Sequence, residues 1–261
     1  MLVALALTSR SPPIRPSVPV CWGTATKDET MTTTCRVPGC SAEAASRYSP
    51  LCRNHRARLR RHGAVEQRGI TGRDLVSSLK RVRARIEKNS ENPAWERLDD
   101  RWRALVGHAQ EVIARFESGR AGASYERRAA VEVVSVAQSA EARHVVEVVL
   151  AMFVLLELEP RRFADDAGFR FQLVRRVRAL GDVSAGQFYD HKAGKVRRAY
   201  RELTPRAVTV IGQWLAEALG AAGVHLAGLE RRDLDAARRS GWKLSGDQDE
   251  TGHRCSSVGR A

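Results

Sequence analysis

The chain has 261 residues, with 44 Lys and Arg against 30 Asp and Glu, so its formal net charge is +14. A hydrophobic content of 43% excludes a fully disordered protein, and the length suffices for a small module beside a larger domain. The positive charge favours an anionic partner, nucleic acid or a membrane surface, with solubility alone as the simpler alternative. The longest strongly apolar stretch, residues 148–156, is about half as long as a membrane-spanning helix. The N-terminal apolar run lacks the basic region of a signal peptide, so we expect a cytoplasmic protein that does not bind a membrane.

Both ends of the chain are predicted to be disordered. Residues 1–34 contain a series of prolines and a threonine-rich patch without periodicity, which is typical of an unfolded leader. Met31 stands just before the first clustered cysteine, so it is an alternative start of the biological protein. The segment Cys255–Ala261 resembles the translation of the D-arm of a tRNA gene, which indicates a reading frame that runs into such a gene. We therefore expect residues 242–261 to be a disordered tail whose end, from about 246, has no structural meaning.

The sharpest chemical signal lies in residues 35–63, which are predicted to form a zinc-binding basic module. Five cysteines are an odd number, and three of them cluster, which favours metal binding over disulfides. Three thiolates and one imidazole would fill the tetrahedral coordination of a structural Zn²⁺ and leave no open position. The alternative is a chance cluster of free thiols in a basic loop. The predicted ligands are Cys35, Cys40, Cys52 and His55, the last two at helical i, i+3 spacing.

This segment resembles the short Cys-Cys-Cys-His zinc modules of phage and mobile-element proteins, which often accompany HNH-type nucleases. The shared pattern is Cys-x4-Cys, then Leu51-Cys52-x2-His55, then Arg58 and the run from Arg60 to Gly63. The resemblance covers about 30 residues and implies a DNA-binding protein of a bacterial or phage mobile element. The nuclease motif itself does not follow, because the later histidines are scattered singly on helical patterns, so we predict no catalysis. These histidines are His108, His144, His191 and His225.

The helix that begins near Cys52 is unusually rich in arginine, and the sequence has no carboxylate between Glu43 and Glu66. A solvated basic face would normally include some acidic residues, so the pattern favours a polyanion over the alternative of a solvated or protein-facing surface. Arginine can pair with phosphate or with guanine in the major groove. The partner is double-stranded DNA rather than RNA, as the resemblance implies. The predicted nucleic-acid contacts are Arg53, Arg56, Arg58, Arg60, Arg61 and the phosphate-facing His62, followed by Arg81 and Arg85 on the next helix.

A second basic stretch, residues 161–204, holds eleven basic and five acidic residues and is a second candidate contact surface. Aromatic residues alternate with the basic ones. At helical spacing such aromatics more often belong to the core than stack on bases. The aromatics are Phe169, Phe171, Phe188, Tyr189 and Tyr200.

Residues 70–241 are predicted to form an α-helical domain without strands. Two apolar stripes within 72–118 predict an antiparallel helical hairpin, whose stripes either pack on each other or form a homodimer through a coiled coil. Further helices are predicted over 125–136, 141–158, 171–180, 184–203, 204–220 and 229–239, with glycines at 181, 220 and 241 as helix ends. Thr204 followed by Pro205 is a strong helix start.

Together these patterns predict a mainly α protein, in which a small zinc knuckle precedes a multi-helix bundle domain. We expect a non-catalytic, zinc-dependent DNA-binding protein. One alternative is a truncated integrase-like recombinase, because residues 204–234 resemble the helical core-binding segment of tyrosine recombinases, although the catalytic Arg, His-x-x-Arg and Tyr set does not follow. The other alternative is a protein-interaction module that contains zinc.

Overall fold

The computed structural model describes residues 33–181, 184–200 and 202–250. The leader up to residue 32 and the tail from residue 251 lie outside the described residues. The predicted mainly α-helical class is confirmed, with a knuckle around the cysteine and histidine residues ahead of a multi-helix domain. The elements are α1 (Arg53–His62), α2 (Gly72–Lys88), α3 (Ala94–Glu117), α4 (Ser124–Ser139), α5 (Ala142–Leu158), α6 (Asp166–Arg178), β1 (Ser184–Asp190), β2 (Lys195–Tyr200), α7 (Pro205–Leu215) and α8 (Ala221–Glu250).

Helix α5 is the centre of the core, because its sequence from Val148 to Leu156 is apolar on every side. Every residue from Val148 to Leu155 is buried. Helices α2, α3, α6 and α8 pack around α5, as expected for a segment that has no polar face. Glu159 and Pro160 end the helix, and a single 3₁₀ turn, Pro160–Arg162, leads towards α6.

The two predicted apolar stripes lie on α2 and α3, but they do not pack chiefly on each other. Helix α2 packs on α5, and α3 packs mainly on α4. A capping box of Thr71 and Asp74 begins α2, and Pro93 precedes α3. The stripe residues Leu75, Val82 and Trp102 are buried within the single chain, so a homodimer through 72–118 would have to use other faces of these helices.

The predicted helix over 184–203 is wrong, because this segment forms an antiparallel β-hairpin. Tyr189 pairs with Val196, and the turn runs from His191 to Gly194. The carboxylate of Asp190 accepts hydrogen bonds from the backbone N–H of Lys192 at 3.1 Å and of Ala193 at 3.2 Å. Gly194 has a φ of +60°, a backbone conformation that residues with a Cβ rarely adopt. These turn contacts compete with helix formation, and they are a local signal that helical spacing alone does not register.

Thr204 caps α7 as predicted, with its hydroxyl accepting from the N–H of Ala207, but the helix does not end at Gly220. A π-helical segment, Ala216–Gly220, leads directly into α8, and the predicted end at Gly241 lies inside α8. Gly220 is not a terminator, because it does not adopt a positive φ and the helical backbone continues through it into Ala221. Gly223, one turn further on, permits close contact with α5, since a Cβ there would lie 2.6 Å from Cγ of Phe153.

The continuous helix over 205–239 is long and apolar enough to cross a membrane by length and composition alone. Within its most apolar window, 44% of the residues are buried inside the protein. This is weak evidence for a membrane, because a core helix of a soluble protein passes the same test. The sequence prediction missed this helix because it placed an end at Gly220.

Candidate metal centre

Three cysteines and one histidine from separate parts of the knuckle converge at one point. The ligand atoms of Cys35, Cys40, Cys52 and His55 all lie within 4.8 Å of one another. Nδ1 of His55 is 3.3 Å from Sγ of Cys35 and 3.4 Å from Sγ of Cys52. Around a tetrahedral metal with bonds of about 2.3 Å, sulfur atoms stand about 3.8 Å apart. The group therefore needs only a small adjustment of these distances to hold a metal ion, and the four predicted ligands are brought together.

The backbone of the knuckle explains why the first two sulfurs meet. The N–H of Cys40 donates to the carbonyl of Val37 at 3.0 Å, which closes the turn. Gly39 adopts a φ of +75° within it. The N–H of Cys35 donates to the carbonyl of Ala42 at 2.9 Å, so the chain returns on itself and both thiols face inward.

The other two ligands belong to the start of α1. Cys52 is the N-cap of this helix, and its Sγ accepts a hydrogen bond from the backbone N–H of His55 at 3.5 Å. A sulfur at this position takes the place of the usual oxygen cap and satisfies one of the free N–H groups of the first turn.

The electrostatics of the cluster favour metal-binding thiolates. Burial raises the pKa of Cys35, but hydrogen bonds from the backbone of Cys52 and Val37 and from His55 outweigh it and lower the pKa to about 6. The backbone N–H of Ala42 lowers the pKa of Cys40, whereas burial and the nearby sulfur of Cys35 raise it above its usual value overall. One thiolate therefore forms readily at neutral pH, and a bound cation would hold the others in the same state.

Helix α1 has no buried residue, so packing does not hold it in place. An isolated helix of 10 residues is marginal in water. It is fixed instead at its two ends, by the cysteine and histidine cluster and by the left-handed turn at Gly63, which lies against Phe171. Its predicted DNA-contacting arginines are exposed along the whole helix; they are Arg53, Arg56, Arg58, Arg60 and Arg61.

Four of the predicted nucleic-acid contacts have partners inside the protein, and they are Arg61, His62, Arg81 and Arg85. Nδ1 of His62 lies 3.1 Å from Nε2 of Gln172, so this ring faces α6. Arg85 donates to Glu230 at 2.6 Å, and Arg81 lies 3.8 Å from the same carboxylate. These partners are more than a hundred residues away in sequence, so the spacing of basic residues could not reveal them.

The two basic regions that the sequence separates meet in space. Helix α1 contacts α6, and burial together with the charges of Arg176, Arg178 and Arg61 lowers the pKa of Arg175. Arg61 also forms an ion pair with Glu202, Nε to Oε1 at 3.1 Å. The basic joint, defined here as Arg58, Arg61, Arg175 and Arg176, thus joins the knuckle to the helical domain.

Two buried amides at this joint carry no sequence signature. Gln67 donates to the carbonyl of Arg162 at 3.1 Å and accepts from the N–H of Ala164 at 2.9 Å. Gln172 accepts from the N–H of Ile70 at 2.9 Å. These contacts fix the segment after α1 against α6, and thereby fix the orientation of the knuckle. Of the aromatic residues in the second basic stretch, Phe169 and Phe171 are buried in the core as predicted, whereas Tyr189 is exposed.

Comparison with known proteins gives no family for the chain: no protein-family model, no curated protein and no solved structure matches it.

Proposed function

We propose that the chain is a zinc-containing, non-catalytic DNA-binding protein of a bacterial or phage mobile element. The observation that carries the proposal is the direct connection between the cysteine and histidine cluster and α1, because Cys52 is both a cluster member and the N-cap of the helix. A metal bound there would fix the position of an exposed arginine-rich surface.

Zinc is the metal that best fits the cluster. Three sulfurs and one imidazole nitrogen are soft to borderline ligands, and Zn²⁺ accepts them in closed tetrahedral sites. Hard cations such as Mg²⁺ and Ca²⁺ require oxygen ligands, which this cluster does not supply. Because four protein ligands leave no position for water, the metal would have a structural role.

DNA is supported by the composition of the surface that the cluster positions. Helix α1 has no acidic residue in its first turn and has Arg60, Arg61 and His62 in its last turn. Its exposed guanidinium groups can neutralise phosphates, which releases counterions and gives affinity that falls as salt rises. The basic joint continues this surface onto α6.

The test is a titration of a fluorescent duplex over a range of salt concentrations, made on protein whose metal content has been measured. The triple variant Arg56→Ala, Arg58→Ala, Arg60→Ala should bind all duplexes more weakly, and the salt slope should fall by about one unit per lost phosphate contact. Alanine preserves the helix. The control is a variant in which three arginines of α3 are replaced with alanine, at Arg97, Arg101 and Arg103. This variant should leave the salt slope nearly unchanged.

Two results would contradict the proposal. Equal effects of the α1 and α3 variants would show only a dependence on net charge. Weak, salt-insensitive binding by the unmodified protein would favour the alternative of a zinc-containing protein-interaction module.

A further inference from the structure

The β-hairpin formed by β1 and β2 stands apart from the helical core. Its strands pair with each other, and among the described residues they make little contact with the helices. Tyr189 is 52% exposed and Val196 is 61% exposed, although both are large side chains on the same face of the ribbon. A two-stranded hairpin is only marginally stable in water, so a ribbon of this kind gains stability from a partner that covers it.

The charge of the hairpin identifies the kind of partner. Its sequence from residue 184 to residue 201 contains five basic residues and one acidic residue, Asp190. That carboxylate is engaged in the turn, where it accepts backbone hydrogen bonds. Lys192 and Lys195 are exposed at the tip. Beside them the rings of Tyr189 and His191 contact edge to face, with centroids 5.0 Å apart. Positive charge is complementary to the phosphates of a nucleic-acid backbone, and a tyrosine hydroxyl can donate to phosphate or sugar oxygens.

The base of the hairpin is tied to α1. Glu202 follows β2 by two residues and forms the ion pair with Arg61 in the last turn of α1. Leu203, the next residue, packs against the helical core. The hairpin therefore begins beside the arginine-rich helix, and a duplex that follows α1 could continue onto the hairpin.

We propose that the β1–β2 hairpin is a second DNA-contacting element, which places a two-stranded ribbon on the same duplex that α1 contacts. This inference rests on the proposed function. The major groove is wide enough for such a ribbon, and neighbouring strands are about 4.8 Å apart. The lysines at the tip contact phosphates, and the Tyr189 face lies against the groove or the sugars. Lysines on exposed edges can also serve only to prevent pairing with other strands, and the experiment separates the two roles.

The experiment combines a variant with a crosslink. In the full-length protein, Lys192→Gln with Lys195→Gln removes two charges, and we expect the salt slope to fall by about two units while the far-ultraviolet circular dichroism is unchanged. A photo-crosslinking amino acid in place of His191, at the exposed turn, should form a crosslink to a duplex to which the protein is bound. The matched control places the same amino acid at Val224, which is 63% exposed on α8, and it should give no labelling above background.

The outcomes separate this inference from the proposed function. Loss of salt slope in the α1 triple variant, with no effect of the lysine changes and no crosslink from position 191, would overturn the inference and leave the proposed function standing. A crosslink from position 191 to a second protein chain would also overturn it, in favour of strand pairing between copies. Absence of duplex binding by the unmodified protein would contradict both this inference and the proposed function.

Discussion

Gln172 joins the knuckle to the helical domain through one amide, since its Nε2 lies 3.1 Å from Nδ1 of His62 and its Oε1 accepts from the N–H of Ile70 at 2.9 Å. Gln172 is fully buried, so leaving either half of its amide without a partner would be costly. Because Nε2 can only donate, Nδ1 of His62 must accept, which requires the neutral imidazole with its proton on Nε2. The orientation of α1 is therefore coupled to the protonation of one histidine at its end.

This coupling predicts a pH dependence of stability. Burial and the charges of Arg175, Arg58 and Arg61 lower the pKa of His62 below its ordinary 6.5. The unfolded chain then binds a proton at higher pH than the folded protein does. The contribution of His62 is therefore fully present above about pH 6.5 and is lost as the pH falls through the lower folded pKa.

The variant His62→Asn keeps an acceptor for Gln172 but does not titrate. Urea unfolding at pH 7.5 and at pH 5.5 should show that the unmodified protein loses more stability between these values than the variant does. The acid sensitivity of carboxylates and of metal ligands is common to both proteins and cancels in the comparison. An identical loss in the two proteins would contradict the assignment.

Removal of metal should separate the knuckle from the helical domain. The apolar core is built from α2 to α8 and contains no cluster member, whereas α1 has no buried residue. We expect a chelator to abolish duplex binding and to remove only the small helical signal of α1 from the circular dichroism spectrum. Readdition of Zn²⁺ should restore both. A cooperative loss of most of the helical signal on chelation would show instead that the knuckle is part of the main core.

How much of the structure can be predicted from the sequence depends on how far apart the interacting residues lie along the chain. The helix start at Thr204 was predicted because its signal lies in adjacent residues, and the convergence of Cys35, Cys40, Cys52 and His55 was predicted because all four lie within one short segment of the chain. The pairing of Arg85 with Glu230 and the roles of Gln67 and Gln172 were not found, because their partners are distant in sequence and a glutamine has no pattern of its own. The hairpin was missed for a different reason: Asp190 and Gly194 specify a turn by hydrogen bonding and backbone conformation, which helical spacing of apolar residues does not report.

The metal stoichiometry tests the ligand set directly. The unmodified protein should hold about one Zn²⁺ per chain, measured by inductively coupled plasma mass spectrometry after dialysis. Cys40→Ser removes one of the four ligands and should reduce the bound zinc substantially, because a hydroxyl is a poor ligand compared with a thiolate. Cys21→Ser is the matched control, since Cys21 is outside the predicted ligand set. Full stoichiometry in Cys40→Ser would show that the site is wrong.

The glycines of α8 provide a test of the packing between this helix and α5. A Cβ at Gly223 would lie 2.6 Å from Cγ of Phe153, a side chain that is only 8% exposed on the central helix α5. Gly223→Ala should therefore destabilise the protein by about 1–3 kcal/mol through overpacking. The matched control is Gly228→Ala on the same helix, where an added Cβ has no atom within 4 Å. There the higher helix propensity of alanine should increase the free energy of unfolding, by up to about 1 kcal/mol. Urea unfolding followed by circular dichroism measures both changes, and a stabilising effect at both positions would show that α8 does not pack closely on Phe153.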